Sequence, residues 1–220
     1  MADPKTISFT TDDGVVIYGN YFESVPASDR CVLMLHMMPE TSLSWAPLAG
    51  EVVKVGINVL AIDERGHGES VNTTDGGKID FRNFTDTEQQ AKIFDVEAAV
   101  RWINGKGIRD ISIVGASIGA NLAIRYAADH EEIGEIVAMA PGLDYRGVMT
   151  EEAVGRMSAS QAVLFVGAKD DVESLGSIGK LSQTGNVKKE TLIYESGGHG
   201  TRLFGPHPEV IGRIVDFLKQ

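Results

Sequence analysis

Short apolar runs rich in Val, Ile and Leu recur along this chain and alternate with segments of helical periodicity. Buried parallel strands carry continuous apolar runs, whereas amphipathic helices repeat every three to four residues. The pattern therefore predicts eight strands, the first two joined as an N-terminal hairpin, and six helices. The strands are expected at 6–10, 15–22, 31–36, 57–62, 111–115, 135–140, 163–167 and 190–194, and the helices at 43–55, 86–104, 118–129, 151–156, 172–181 and 208–219.

The repeated strand–helix units favour an α/β fold, with a mostly parallel eight-stranded sheet covered by helices on both faces. The chain has 220 residues, of which 43% are hydrophobic, enough for one sizeable core. No Pro-rich or Ser-rich linker divides it. We expect one domain spanning residues 1–220.

A candidate nucleophile lies between the fifth predicted strand and the helix that follows it. Residues Gly115 to Gly119 read G-x-S-x-G, with Ser117 at the centre. A strand that turns abruptly into a helix strains the central residue and leaves no room for side chains beside it, so small residues surround a nucleophilic serine in such a turn. The motif predicts that Ser117 is the nucleophile of a serine hydrolase.

A candidate base follows the last predicted strand, in the glycine-rich segment Gly197 to Gly200. His199 is the one histidine in such a setting, and its imidazole can accept a serine proton when a carboxylate fixes its tautomer. His130 at a helix end and His207 between two prolines are expected to be structural or solvated. The sequence predicts His199 as the catalytic base.

Two adjacent carboxylates are candidates for the acid, because Asp170 and Asp171 lie where the strand at 163–167 opens into a loop. Consecutive side chains at a strand end point in opposite directions, so only one of them can face His199. Both can also serve as solvating groups or helix caps. The residues alone leave this choice open, but the order Ser, Asp, His along the chain is that of a catalytic triad.

These features together resemble the α/β-hydrolase fold, over nearly the whole chain. Residues Asp63 to Ser70 are similar to the D-x-R-G-H-G-x-S turn of that superfamily, whose role is structural, so His67 is not expected to be catalytic. The spacing in the superfamily implies Asp170 as the acid. Asp144 is a rival, since some members take the acid from the earlier strand.

The resemblance also implies an oxyanion hole. The segment His36 to Pro39 occupies the place of the family's H-G-x-P loop, with Met37 where glycine is usual. By position, the backbone N–H groups of Met38 and Ile118 would be the two donors. Met37 and Met38 are expected to line the acyl pocket or, alternatively, to fill gaps in the core.

Many relatives insert a helical lid where this chain has room only for a loop and a short helix, between Ala140 and Ala162. We therefore expect little or no lid and an open groove, with Leu143 and Met149 on one wall. The segment from Val71 to Phe84 has two interpretations, a rim of the active site or a mobile surface excursion.

Composition limits the setting of the protein. The net charge of −11 argues against nucleic acid and against an anionic membrane surface. Cys31, the single cysteine, cannot form an internal disulfide and is expected in the core. The N-terminus from Met1 to Lys5 lacks a signal-peptide run, so a cytoplasmic location is expected. No spacing indicates a metal site or a phosphate-binding loop, and no cofactor is expected.

The sequence thus predicts a serine hydrolase that cleaves carboxylic esters of small to medium size through an acyl-enzyme. Thioesterase, amidase and acyltransferase activities share the tetrahedral intermediate and stay open as alternatives. A protein that keeps the fold and the triad but binds ligand with slow turnover is a further alternative. The acyl-chain length and the oligomeric state are not readable from the sequence.

Overall fold

The computed structural model describes residues 4–220; residues 1–3 of the N-terminal segment lie outside the described part. All eight predicted strands are present, and the described residues contain three further, very short strands. The strands are β1 Lys5–Thr10, β2 Val15–Phe22, β3 Arg30–Leu35, β4 Asn58–Ile62, β5 Asn72–Thr73, β6 Asp110–Ala116, β7 Ile133–Met139, β8 Asp144–Tyr145, β9 Val148–Met149, β10 Ala162–Ala168 and β11 Lys188–Tyr194.

Residues 4–220 form seven α-helices, one more than predicted, because the segment expected as one helix at 86–104 is broken near Lys92. The first of the two pieces begins with a capping box, in which Thr85 and Glu88 satisfy each other's backbone N–H groups. The helices are α1 Ala46–Lys54, α2 Asp86–Gln90, α3 Ile93–Gly105, α4 Ile118–Ala127, α5 Glu151–Arg156, α6 Val172–Leu181 and α7 Glu209–Leu218, with 3-10 turns at Ser42–Trp45, Phe81–Asn83 and Gly200–Phe204.

The central sheet has the strand order β1-β2-β4-β3-β6-β7-β10-β11, and β5 pairs with β2 at its side. The pairs β1–β2 and β2–β4 are antiparallel, and every pair from β4 to β11 is parallel. The chain is therefore a single α/β domain with a mostly parallel eight-stranded sheet flanked by helices, as predicted.

Side chains of the central strands alternate between two core layers. On β3, Cys31, Leu33 and Leu35 pack on the face covered by α3, α4 and α6. Val32 and Met34 pack on the opposite face, against α1 and α7. A parallel sheet buried on both faces needs apolar residues at successive positions, which explains the continuous apolar runs in the sequence. Cys31 is a buried free thiol, as expected.

The parallel arrangement brings the carboxyl ends of the strands to one edge of the sheet. The segments that follow β3, β4, β6, β7, β10 and β11 all start there. In open α/β sheets this edge is where ligands bind. The sequence-predicted nucleophile, base, acids and oxyanion loop each lie in one of these segments.

Where a lid would be inserted, between β7 and β10, the chain forms only the β8–β9 hairpin and the six-residue helix α5. The segment from 71 to 84 is fixed to the loop after β4. The Phe81 N–H donates to Gly66 O at 3.3 Å, and the Phe81 ring stacks on His67 with centroids 3.8 Å apart. It is thus packed on the protein rather than extended away from it.

Candidate active site

Ser117 sits at the turn from β6 into α4 with a strained backbone, φ +55° and ψ −123°. A non-glycine residue rarely adopts a positive φ, and such strain concentrates at functional sites. The Ser117 N–H donates to Met139 O of the adjacent strand at 2.9 Å, and this hydrogen bond holds the turn. The strained turn that the G-x-S-x-G pattern predicts is therefore present.

The two motif glycines are required by packing. A Cβ on Gly115 would collide with the backbone of Gly119, and a Cβ on Gly119 would lie 2.7 Å from His36 O and still closer to Leu35 O. The first turn of α4 is thus pressed against the ends of β6 and β3. This close approach brings the start of the helix against the loop after β3, the predicted oxyanion loop.

His199 lies in the loop after β11, where Gly197, Gly198 and Gly200 all have positive φ. A Cβ on Gly200 would lie 3.4 Å from the Cβ of Ala116, so the loop with the histidine contacts the turn with Ser117. The hydrogen bonds of His199 within residues 4–220 use Nδ1. Nε2 makes none there, and in apo sites the bond to the nucleophile is often loose.

Asp171, not Asp170, is the carboxylate at the histidine. Its Oδ2 lies 2.7 Å from His199 Nδ1, and it is largely buried. Because a carboxylate only accepts, Nδ1 donates, and in the neutral ring Nε2 then has the free lone pair. The structure thus gives His199 the tautomer that a general base needs.

The sequence-based choice of Asp170 as the partner of His199 is therefore wrong. Its carboxylate accepts the N–H of Gly197 at 3.0 Å and of Gly198 at 3.1 Å, so it holds the loop and not the ring. These backbone hydrogen bonds lower the pKa of Asp170. One carboxylate faces the histidine, as the alternation at a strand end requires, but it is the other one. The rival Asp144 accepts the N–H of Gly147 within the hairpin.

The proposed oxyanion donors lie in the loop after β3 and at the start of α4, two segments that Gly119 brings close together. Met38 lies in the loop after β3, and no described residue accepts a hydrogen bond from its backbone N–H. Ile118 is the first residue of α4, where backbone N–H groups have no partner within the helix. The helix start adds a partial positive charge. Both groups have the chemistry of an oxyanion hole.

Met37 is not on the groove wall. It is 1% exposed, packs with the core layer that contains Trp45 and Leu48, and has its Sδ close to Gly200. The predicted substrate-binding role of Met37 is corrected to a core role, because the side chain at this position turns inward beneath the loop. It fills the space next to the loop of His199.

Leu143 and Met149 are exposed large hydrophobic residues at the base of the β8–β9 hairpin. They share a cavity of about 550 Å³ with acidic residues of the hairpin and of α5. The cavity lining does not include Ser117, Asp171 or His199. The structure thus brings the two predicted wall residues together, but not into one cavity with the triad. The remaining lining residues are Asp144, Glu151, Glu152, Gly155 and Thr184.

Two residues at the histidine were missed by the sequence analysis. Ser174 Oγ lies 3.4 Å from His199 Nδ1, and the Tyr145 hydroxyl lies 3.2 Å from Ser174 Oγ. Tyr145 belongs to the segment after β7 that the sequence marked as a groove wall. Ser174 is an ordinary helix position in sequence terms, and no local signal identifies it.

A buried polar cluster lies behind the predicted oxyanion loop. Lys92 Nζ is 2.9 Å from a carboxylate oxygen of Glu64 and 3.3 Å from His67 Nε2, and both charged side chains are at most 1% exposed. His67 Nδ1 donates to Glu40 O at 3.1 Å. His36 Nε2 accepts from the Glu64 N–H at 3.0 Å. We call His36, Glu64, His67 and Lys92 the buried cluster.

The rest of the D-x-R-G-H-G-x-S turn is also engaged in structural contacts. Asp63 Oδ1 accepts the N–H of Ser42 at 2.8 Å, and its Oδ2 accepts that of Glu69 at 3.1 Å. Arg65 Nε lies 2.8 Å from the fully buried carboxylate of Asp95. No triad residue takes part in these contacts. The turn thus ties the loop after β4 to its neighbours.

Burial, together with the nearby Lys92 ammonium and His36, lowers the pKa of His67 to about 2. Between this value and its usual 6.5 the unfolded chain binds a proton that the folded chain does not. The free energy of unfolding should therefore fall as the pH is lowered through this window. We expect His67→Gln to reduce the slope of this dependence by about one proton, as measured by urea unfolding from pH 7 to pH 4.

His130→Gln is the matched control, because this imidazole lies just after α4, outside the buried cluster, and its Nδ1 donates to Tyr126 O at 2.9 Å. An unchanged slope in His67→Gln would contradict a neutral, buried His67.

The comparison with protein families decides the family. Residues 26–171, more than half of the chain, match the model described as "serine aminopeptidase, S33". The chain belongs to this family. The matched range contains Ser117 and Asp171, and His199 lies beyond it. Membership agrees with the α/β-hydrolase resemblance of the sequence.

Individual relatives are more distant. The chain is 30% identical to the non-heme chloroperoxidase CPO-A1 of Kitasatospora aureofaciens over 121 residues, which is 55% of this chain and 38% of the relative. It is also 30% identical to the polyketide transferase grgF of a Penicillium species over 148 residues, 64% of this chain and 46% of the relative. The chain thus spans less than half the length of these curated relatives.

Among solved structures, an esterase of Pyrococcus furiosus superposes with a TM-score of 0.76 at 21% identity, covering 99% of this chain and 90% of the esterase. This likeness confirms the fold. Within residues 4–220, no helix has the length and apolar character needed to cross a membrane. The same residues contain no group of three or more His, Cys, Asp or Glu side chains arranged as metal ligands.

Proposed function

We propose that this chain is a serine hydrolase that cleaves carboxylic esters of small to medium size through an acyl-enzyme intermediate. The observation that carries the proposal is the 2.7 Å contact between Asp171 and His199 Nδ1, on a loop that touches the strained turn of Ser117. Membership of the S33 serine hydrolytic family supports the hydrolase class. Thus the proposal rests on geometry and family together.

In the proposed reaction, the Ser117 hydroxyl attacks the ester carbonyl while His199 Nε2 takes its proton. Asp171 orients the ring and stabilises the imidazolium. The oxyanion is bound by the N–H groups of Met38 and Ile118. Each such donor typically lowers the activation barrier by a few kcal/mol. The alcohol leaves with the proton from His199, and water then attacks the acyl-enzyme by the reverse proton transfers.

The test is mass spectrometry with peptide mapping after treatment with a fluorophosphonate probe, which reacts with base-activated serines. We expect one adduct, on Ser117, and no adduct in Ser117→Ala, which should also lose ester hydrolysis while remaining folded. Absence of labelling in a folded wild-type sample, or near wild-type esterase rates in Ser117→Ala, would refute the proposal. The first of these results would favour a slow ligand-binding protein of the same fold.

Acyl transfer is the second candidate, because one of the relatives is named a polyketide transferase. The two reactions share the acyl-enzyme and differ in the acceptor that removes the acyl group. Rates on oxygen esters, thioesters and anilides, with and without an added alcohol acceptor, separate them. Acylated alcohol in excess over free acid would favour the transferase. A small-molecule ester substrate and a cytoplasmic location stay predictions.

A further inference from the structure

The β8–β9 hairpin is a well-defined structure next to the triad. Its two-residue turn, Arg146 and Gly147, has φ values of +58° and +84°. Positive φ at both central residues is the type I′ geometry that matches the twist of a tight hairpin. The Gly147 N–H donates to Asp144 Oδ1 at 2.7 Å and closes the turn. The hairpin therefore has one specified conformation.

The helix that carries the nucleophile anchors this hairpin. The fully buried Asn121 of α4 accepts the N–H of Gly142 at 3.0 Å and donates to Val148 O at 2.7 Å. Thr150 closes the base, where its Oγ1 donates to Gly142 O at 2.7 Å. Both ends of the hairpin are thus fixed relative to α4 and to Ser117 at its start.

This anchoring places Tyr145 over a glycine and against α6. A Cβ on Gly142 would lie 2.6 Å from the Tyr145 ring, so the glycine makes room for the ring. The hydroxyl lies 3.2 Å from Ser174 Oγ, and Ser174 is fully buried. Ser174 Oγ lies in turn 3.4 Å from His199 Nδ1. The Tyr145 ring also meets the imidazole edge-on, with centroids 6.2 Å apart.

We propose that Tyr145 and Ser174 are positioning residues that act, with Asp171, on the orientation of His199. The inference rests on the proposed function and deepens it. Asp171 holds the imidazole through one short bond, about which the ring can still tilt. Ser174 Oγ is a second acceptor for the same Nδ1–H group of His199. The hydroxyl of Tyr145 fixes the position of that oxygen.

The protonated ring makes the arrangement useful for catalysis. When His199 takes the proton of Ser117, its Nδ1–H carries more positive charge and faces two oxygens instead of one. Hydrogen bonds to charged groups are stronger than those between neutral groups. Because Tyr145 stands on the hairpin, the position of the hairpin and the orientation of the base are mechanically connected.

The test is a double-mutant cycle with Tyr145→Phe and Ser174→Ala, measured by ester hydrolysis and by the NMR resonance of the His199 Nδ1 proton. Tyr145→Phe keeps the ring and removes only a hydroxyl whose hydrogen bond is to Ser174. We expect each variant to lower kcat about three- to tenfold with little change in KM. The double variant should lose little more than the larger single loss. Both single variants should move the Nδ1 proton resonance.

Tyr126→Phe on α4 and Ser182→Ala, a half-buried serine after α6 whose Oγ donates to Gly179 O, are the matched controls, and both should leave kcat and the resonance unchanged. An unmoved resonance and unchanged kcat in Tyr145→Phe, or fully additive losses, would overturn the inference. If the probe still labels Ser117 in that case, the proposed function stands without it. Absence of labelling in the wild type would overturn both.

Discussion

Asp171→Asn is expected to lower kcat/KM for ester hydrolysis by about three to four orders of magnitude. The asparagine has nearly the shape of the aspartate but presents an amide group that can donate to Nδ1. His199 would then carry its proton on Nε2, where the lone pair for the Ser117 proton is needed. The charge that stabilises the imidazolium would be lost as well.

Asp170→Asn is the matched control, since the same substitution is made one residue earlier. Asp170 accepts two backbone N–H groups of the loop and has no contact with the imidazole. An asparagine oxygen can keep one of these hydrogen bonds, so we expect less than about a tenfold loss of kcat/KM. Circular dichroism and thermal unfolding should show that both variants are folded. A large loss in Asp170→Asn with near wild-type activity in Asp171→Asn would restore the assignment based on family spacing.

The incorrect assignment of Asp170 as the catalytic acid shows a limit of prediction from sequence. The strand at 162–168 was predicted within a residue at each end, and both carboxylates lie in the turn that follows it. Which of the two faces β11 depends on the turn that begins there, in which the Asp171 N–H donates to Ala168 O at 3.1 Å. Spacing of residues along the chain does not encode this backbone path. The direction of each side chain at the end of a strand can be read only from the structure.

The fold was predictable because its determinants are local and periodic. Alternation of core residues, helix periodicity and the G-x-S-x-G turn each act over a few residues, and all eight main strands follow from them. The break in the segment at 86–104 did not follow, because it coincides with the inward turn of Lys92 toward Glu64, a contact between distant parts of the chain. Ser174 and Tyr145 were missed for the same reason.

Lys92→Met is expected to lower the free energy of unfolding by about 3–5 kcal/mol. The substitution keeps the length of the side chain but leaves the carboxylate of Glu64 buried without a positive partner. Neither oxygen of that carboxylate has a hydrogen bond within the described residues, so the ammonium at 2.9 Å compensates its charge. His67 Nε2 would also lose the donor at 3.3 Å. Urea unfolding at pH 7 measures the difference.

Lys54→Met is the surface control, because Lys54 pairs with Glu51 on an exposed helix face and such pairs contribute at most about 1 kcal/mol. The informative comparison is the double variant Glu64→Gln with Lys92→Met. Removal of both charges should recover much of the loss, since an isolated buried charge costs more than a buried neutral pair. Equal losses in the single and double variants would mean that Lys92 acts through its packing. If Lys92→Met also lowers kcat, and the double variant recovers stability but not kcat, the buried cluster also holds the predicted oxyanion loop. The connection is direct, because His36 of that loop accepts the Glu64 backbone N–H.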